Sequence, residues 1–382
     1  MPEVWQARAG NGLAVLGLEN NEVPLVHFDI TIPGGHSFDP MQKAGTASLM
    51  CQLMMQGTAR RTPAELEEAI GLLGSTISIQ CGNEEIRLRA SCLARNFAAT
   101  FALAQEMLLE PRWDVAEYDR LKKALETSLK GSEANPPAIA ARTFNKLLYG
   151  PEHILGTPVA GTLQTTAAIG LDDLKGYYAA YVSPAQAALH VAGAVPKAQV
   201  LPAVGGLEKA WQPKAVTPPA PGTLRQAPAG GVYFVDFPGA KQSVVYVGRL
   251  ALAATDPNSN NLDFANEVLG GGSSGKLFQA LRIEKGYTYG AYSFVSQLKA
   301  PGPFAISTSV RSNVTLPSLQ LIASILADYG KNFSEAEVVI TRDKVLKGNT
   351  LAYESLGAKL GVLQQISKYG KSTRFIEEDQ QE

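Results

Sequence analysis

The stretch LGGGSSGKLFQALRIEKGYTYGAYS, Leu269 to Ser293, decides how this chain is read. It opens with a glycine cluster (Gly270, Gly271, Gly272, Gly275), continues as a short amphipathic segment, and closes in a run bearing Tyr287, Tyr289 and Tyr292. Leu277, Phe278 and Leu281, at i, i+1 and i+4, predict a helix with one apolar face, capped by Ser273 or Ser274 and carrying Arg282 in its last turn. Gly286 fits the position just past the helix, where left-handed backbone is cheap only without a Cβ. A helix that ends in a cation and hands over to a tyrosine-bearing strand makes a corner able to bind a carboxylate or a peptide carbonyl. A plain helix–strand joint is the alternative. The glycines are not a phosphate loop, because no Gly-Lys-Ser/Thr follows them, and they lack the context of a dinucleotide fingerprint.

Outward from this stretch, the bulk properties set limits. A chain of 382 residues suggests two domains at roughly 150 residues each. Hydrophobic content of 45% and charged content of 18% describe a globular protein with ample core. With 34 basic against 35 acidic residues the net charge is −1, which argues for neither nucleic acid nor an anionic membrane surface as a partner. Cys51, Cys81 and Cys92 form no CxxC pair and read as buried thiols rather than a disulfide framework. No apolar run is long enough to span a membrane. The opening MPEVWQARAG has neither the basic start nor the apolar core of a signal peptide, so the compartment stays open between cytoplasm and, with a signal removed, periplasm.

Two β runs, GLAVLGLE and LVHFDITIPGG, come first, the second alternating with Val26, Phe28, Ile30 and Ile32 on one face. After Asp39-Pro40 the apolar helix AGTASLMCQLMMQGT stops at Gly57, and TPAELEEAIGLLG opens with a Thr62 cap, Pro63 and Glu65. STISIQCG and EEIRLRASCL are strands. NFAATFALAQEMLLEP is a helix, and residues 114–148 are helical with a break at Asn135-Pro136-Pro137. LDDLKGYYAAYV is a helix and AQAALHVAGAV a buried strand. Residues 212–230 change composition abruptly and read as a Pro-rich linker. Beyond it the order restarts: strands GVYFVDFPG and QSVVYVGRLAL, the turn Asp256-Pro257, and the helix LDFANEVLGGG. Asp39 stands 18 positions before Gly57 and Asp256 stands 14 before Gly270, which predicts an internal duplication. Strand GPFAISTSV, helix LPSLQLIASILADYG and a helix capped near Ser334 follow. The second copy stops at RFIEEDQQE without a closing strand matching LHVAGAV, which predicts that the C-terminal domain is truncated at its C-terminus.

On these residues the chain resembles the inverted-motif zinc peptidases of family M16, the pitrilysin and processing-peptidase type, and especially their short bacterial branch. The resemblance runs through PGGHSFDPMQKAGTASLMCQLMMQGT, the Asn-Pro-Pro break, PGAKQSVVYVG and DPNSNNLDFANEVLGGGSSGKLFQALRIEKGYTYG. It implies an α+β fold of two homologous α/β sandwiches, the LuxS/MPP-like metallohydrolase fold, with mixed, largely antiparallel sheets and helices packed on them. The domains would be 1–211, with a degenerate metal site, and 231–382, joined by the linker 212–230.

Where a catalytic member carries H-x-x-E-H, this chain has Ser48, Cys51 and Gln52. The motif needs two imidazoles on adjacent helical turns to hold Zn²⁺ and a carboxylate to take a proton from bound water. Neither is present, and the one candidate for the family's later glutamate ligand is Glu126. The four histidines, His27, His36, His153 and His190, show no i, i+3 or i+4 pair. No cofactor is therefore expected on this chain; the resemblance places Zn²⁺ in an H-x-x-E-H partner subunit. It also implies that the zinc-free half lends that partner an arginine and a tyrosine, which fall on Arg282 and Tyr289. Gly270, Gly271, Gly272, Ser273 and Ser274 fall on a substrate-binding loop. The implied substrate is an unfolded peptide, and the implied function is that of the non-catalytic subunit of a heterodimeric zinc endopeptidase. The alternative is a structural or peptide-binding scaffold like the respiratory-complex core proteins.

Overall fold

The computed structural model describes residues 3–220, 222–224, 230–331 and 333–379. The chain begins with strands β1 (Val4–Arg8), β2 (Ala14–Glu19) and β3 (Leu25–Pro33), then helices α1 (Thr46–Met54) and α2 (Pro63–Leu72). Strands β4 (Thr76–Cys81) and β5 (Glu85–Leu93) lead into α3 (Phe97–Leu109), α4 (Val115–Ser132), α5 (Pro136–Tyr149), α6 (Leu163–Ala168) and α7 (Leu171–Tyr181). Strand β6 (Ala188–Gly193) and helix α8 (Lys197–Ala210) precede the Pro-rich stretch. Beyond it lie β7 (Gln242–Leu250), α9 (Ser259–Gly270), α10 (Lys276–Phe278), β8 (Thr288–Val295), β9 (Pro303–Arg311), α11 (Thr315–Tyr329), α12 (Glu335–Ala352), α13 (Leu356–Tyr369) and α14 (Phe375–Asp379). Residues 221 and 225–229 of the Pro-rich stretch lie outside the described residues; 212–220 form no helix or strand.

The chain folds into two compact units. The first takes Met1–Leu129, Thr157–Gly222 and Ala352–Phe375; the second takes Lys130–Gly156, Thr223–Leu351 and Ile376–Glu382. Each unit thus draws a segment from the other half of the sequence.

The first unit is built on a six-stranded sheet in the order β1-β2-β6-β3-β5-β4, antiparallel except for the β2–β6 pair. The alternation in β3 decides its register: Val26, Phe28, Ile30 and Ile32 all face the core, at 1% exposure or less, and a slip of one residue would turn them all to the other face. They pack against Leu49, Met50 and Leu53 of α1, Phe97 and Phe101 of α3, and Leu174 and Tyr177 of α7. Asp39 starts α1 by accepting hydrogen bonds from Gly45 N–H and Ala47 N–H, both at 2.8 Å. Thr62 and Glu65 form the reciprocal box that opens α2, with Pro63 in the first turn. The opposite face of the sheet carries α13, which contacts β2, β3 and β6. β1, α8 and α13 are elements that the sequence pattern does not predict.

The second unit holds an antiparallel sheet in the order β7-β9-β8. Within the first sheet β3-β5-β4 has this same first-third-second order, so the topology repeats as the duplication implies. One face packs Val245, Ala291, Ile306 and Val310 against Leu269, Leu277, Leu281 and Ile322. On the other face α5 crosses β7, with Phe144 and Tyr246 rings 5.2 Å apart. Gly248 makes that approach possible, since a Cβ there would lie 2.8 Å from the Phe144 ring. The mixed, mainly antiparallel sheets with packed helices are those of the expected fold class.

One expectation fails here. The run GVYFVDFPG belongs to no ladder: residues 231–237 are irregular, with Val232 88% and Phe234 82% exposed. Apolar alternation makes a strand only where a neighbour supplies hydrogen bonds, and among the described residues β7 pairs with β9 alone.

Candidate functional site

The signature stretch folds as a helix whose second half widens. After the single α-turn of α10, residues Gln279–Glu284 form a π-helix. Lys285 N–H reaches back to the Ala280 carbonyl at 3.2 Å and Tyr287 N–H to the Leu281 carbonyl at 2.9 Å. Leu277 and Leu281 are fully buried, as their spacing predicts, whereas Phe278 is only half-buried. The widened turn stands off the core, leaving Arg282 through Gly286 all exposed. π-turns are uncommon and concentrate at functional sites. Gly286 takes the left-handed conformation, φ 61°, and reverses the chain into β8.

The serines do not cap this helix. Gly275 is the N-cap, with no side-chain hydrogen bond. Ser273 instead accepts from Gln279 Nε2 at its carbonyl (2.7 Å), and the Ser274 hydroxyl accepts from Lys344 Nζ at 3.1 Å. Lys344 also pairs with Glu267 on α9, so α9 and α12 hold the loop. The glycines have two jobs. Gly270 and Gly275 pack backbone to backbone, a Cβ on Gly275 falling 2.8 Å from the Gly270 Cα. Gly271 and Ser273 are exposed and Gly272 half-buried.

Tyr289 owes its position to a β-bulge between Thr288 and Ala291, where β8 slips against β9. The Thr288 hydroxyl accepts from Gly290 N–H (3.1 Å) and donates to the Ser309 carbonyl (2.7 Å), while Thr308 Oγ1 sits 3.0 Å from it. The bulge throws Tyr289 outward to 83% exposure. The Arg282 guanidinium lies over the Tyr289 ring, 5.2 Å from its centroid, a cation–π contact that orients both groups. No carboxylate pairs with Arg282 among the described residues. Spacing alone could not have shown this contact, because it depends on the π-turn and on a bulge set by Thr308, nineteen residues after Tyr289.

Ser48, Cys51 and Gln52 all lie on α1. Ser48 and Gln52 are half-buried, and Cys51 is 1% exposed. The Cys81 thiol is pushed well up by its hydrogen bond to the Cys51 thiol and by burial. Ser48 and Gln52 offer a hydroxyl and an amide, neither a usual Zn²⁺ ligand, and Cys51 is the one side chain of the three of a zinc-binding type. No group of three metal-binding side chains occurs among the described residues, and Glu126 lies half-buried on α4.

Three histidines are buried and bonded inside. His36 Nδ1 is 3.0 Å from Asp39 and its Nε2 2.9 Å from the Thr157 carbonyl. His153 stacks on Tyr149 at 5.2 Å and accepts from Leu155 N–H at 3.2 Å, and burial lowers its pKa. His190 sits between Asp29 Oδ1 (2.6 Å) and Ser367 Oγ (2.7 Å), an array no motif in the sequence announces. Since Ser367 also bonds its own helix at the Gln364 carbonyl, 3.1 Å, the array fastens α13 to β3 and β6.

Residues 15–159 match the family model described as "Insulinase (Peptidase family M16)", and residues 168–345 match "Peptidase M16 inactive domain". An uncharacterised zinc protease of Streptomyces coelicolor is 26% identical over 82% of this chain and 69% of its own length. The "Non-peptidase homolog YmxG" of Helicobacter pylori is 21% identical over 94% of this chain and 82% of its own. The crystal structure of a peptidase M16 inactive domain from Pseudomonas fluorescens superposes with a TM-score of 0.92 at 21% identity, covering 99% of this chain and 91% of that one. With both family models matched in order, together spanning most of the chain, the chain belongs to peptidase family M16.

Proposed function

We propose that this chain is the non-catalytic subunit of a heterodimeric zinc endopeptidase, binding an unfolded peptide and completing the active centre of a partner that carries H-x-x-E-H and the metal. The observation that carries this reading is the exposed Arg282–Tyr289 pair on the signature turn. Arg282 offers a planar fork of donors with no competing carboxylate, suited to a substrate carbonyl or terminal carboxylate. Tyr289 presents its hydroxyl to solvent and can donate a hydrogen bond to the oxyanion that develops on a scissile carbonyl. Beside them β8 is an edge strand, paired among the described residues with β9 alone, and the main chain of an extended peptide would bond to its other side as an added strand. The Gly272 and Ser273 N–H groups would offer the same peptide further donors, the Gly271 N–H and the Gly272 and Ser273 carbonyls being bonded to Asn266, Gly275 and Gln279.

The test is complementation. The chain alone is expected to cleave no peptide, and mixing it with an H-x-x-E-H family member of similar length is expected to produce chelator-sensitive cleavage. Tyr289→Phe should lower kcat by about two orders of magnitude, the usual effect of losing one oxyanion donor worth ~3 kcal/mol. Arg282→Ala should raise KM. Chelator-sensitive activity of the purified chain would refute the proposal. Full activity of a dimer carrying both substitutions would leave only a scaffold role.

A further inference from the structure

On the face of the second sheet that Tyr289 overlooks there is an open depression of about 410 Å³. Tyr289 and Tyr292 of β8 wall it, and Gln242 of β7 with Ser307 and Ser309 of β9 line it. The register makes this a built surface: Tyr246, Ser307 and Tyr292 stand abreast across the three strands, and Val244 stands beside Ser309. Tyr292 is braced by Phe278, ring centroids 5.6 Å apart. The Thr288 and Thr308 hydroxyls at its margin are already used in fixing the bulge. By contrast, the side chains of Gln242, Ser307 and Ser309 make no hydrogen bond to protein among the described residues, and the two serines are half-buried. An amide and two hydroxyls thus face a hollow large enough for a side chain, with no internal partner.

We propose that this hollow is a side-chain subsite of the peptide-binding surface, selecting a residue with an uncharged amide, glutamine or asparagine. The inference rests on the peptide-binding reading above and adds the chemical class that the surface selects. A primary amide both donates and accepts, as do Gln242 and the serine hydroxyls, so it can satisfy them mutually. An aliphatic side chain would cover the hydroxyls without replacing their bonds to water, and groups desolvated in that way carry a penalty. A lysine or arginine would be worse. No carboxylate lines the hollow, and the nearby cations are Arg282, over the Tyr289 ring, and Arg311, the register partner of Gln242.

The experiment uses the full chain and a fluorescein-labelled host peptide, Thr-Val-Thr-X-Thr-Val-Thr, with X as Gln, Asn, Leu or Lys. Fluorescence anisotropy is expected to show the Gln and Asn peptides binding about tenfold more tightly than Leu, as two net hydrogen bonds would give, with Lys weakest. The triple variant Gln242→Leu, Ser307→Val, Ser309→Val should erase or invert that order, and Ser307→Ala alone should reduce it while disturbing the strand least. Equal affinities for all four peptides, or an order unchanged in the triple variant, would overturn the subsite while peptide binding stands. Failure of every peptide to bind would overturn the subsite together with the reading beneath it.

Discussion

Asp29→Ala tests whether α13 is fastened to the first sheet by a buried polar cluster or merely rests on it. Asp29 is fully buried on β3. One carboxylate oxygen lies 2.6 Å from His190 Nδ1 and the other accepts from Gln364 Nε2 of α13, while His190 Nε2 meets Ser367 Oγ at 2.7 Å. Removing the carboxylate strips the partners from a buried donor, His190, and a half-buried one, Gln364, at once. Each donor left without its partner costs about 1–3 kcal/mol, so with two donors affected the expected loss is ~4 kcal/mol. Asp29→Asn keeps the volume and one acceptor, so it should lose about half of that. The chain reports on this unit selectively, because Trp5, Trp113 and Trp211, its only tryptophans, all lie within it. Tryptophan fluorescence in a urea titration gives the change in stability. Amide hydrogen exchange at Leu360, Leu363 and Ile366 shows whether α13 is released first. A loss below about 1 kcal/mol, or unchanged protection along α13, would refute the fastening role.

Two further expectations follow from local geometry. A Cβ on Gly270 would lie 2.7 Å from the Ser293 backbone nitrogen, whereas one on Gly272 meets only the far end of the Lys344 side chain, at 3.4 Å. Gly270→Ala should therefore destabilise the second unit by about 1–3 kcal/mol, as overpacking does, and Gly272→Ala by much less; equal melting temperatures for the two would contradict this. His153 has its pKa lowered by burial, so the unfolded chain takes up its proton first as pH falls. Its contribution is then complete above the ordinary histidine range, about 6.5, and shrinks as pH drops from there towards the folded value. The His153 ring protons in an NMR titration should show a midpoint below that of a free histidine, and a midpoint at or above it would reverse the sign.

Much of this architecture is legible in the sequence because its causes are local. The alternation of Val26, Phe28, Ile30 and Ile32, the Thr62–Glu65 box and the left-handed Gly286 each depend on residues a few positions apart. The same holds for the Asn135 side chain, which caps α5 by accepting from Ala138 N–H at 3.3 Å. GVYFVDFPG has equally good alternation and forms no strand, because a ladder needs a neighbour that local pattern cannot supply. The Ser273 and Ser274 caps fail for a related reason. Lys344 and Gln279 bind those residues in other ways, and Gly275 takes the cap position.

The candidate site divides along the same line. The sequence by itself determined that the chain is an M16-type duplication without the H-x-x-E-H motif on α1, and that Arg282 and Tyr289 stand on a helix–strand turn. Side-chain chemistry and spacing suffice for both. Only the tertiary structure decided that Arg282 lies over the Tyr289 ring, that hydroxyls gather unpartnered beside them, and that α13 is fastened across β3 and β6. Those facts depend on a π-turn, on a bulge set from the neighbouring strand, and on polar contacts between residues as far apart as Asp29 and Gln364. Such contacts leave no periodicity in the chain, since what selects them is the burial they share after folding.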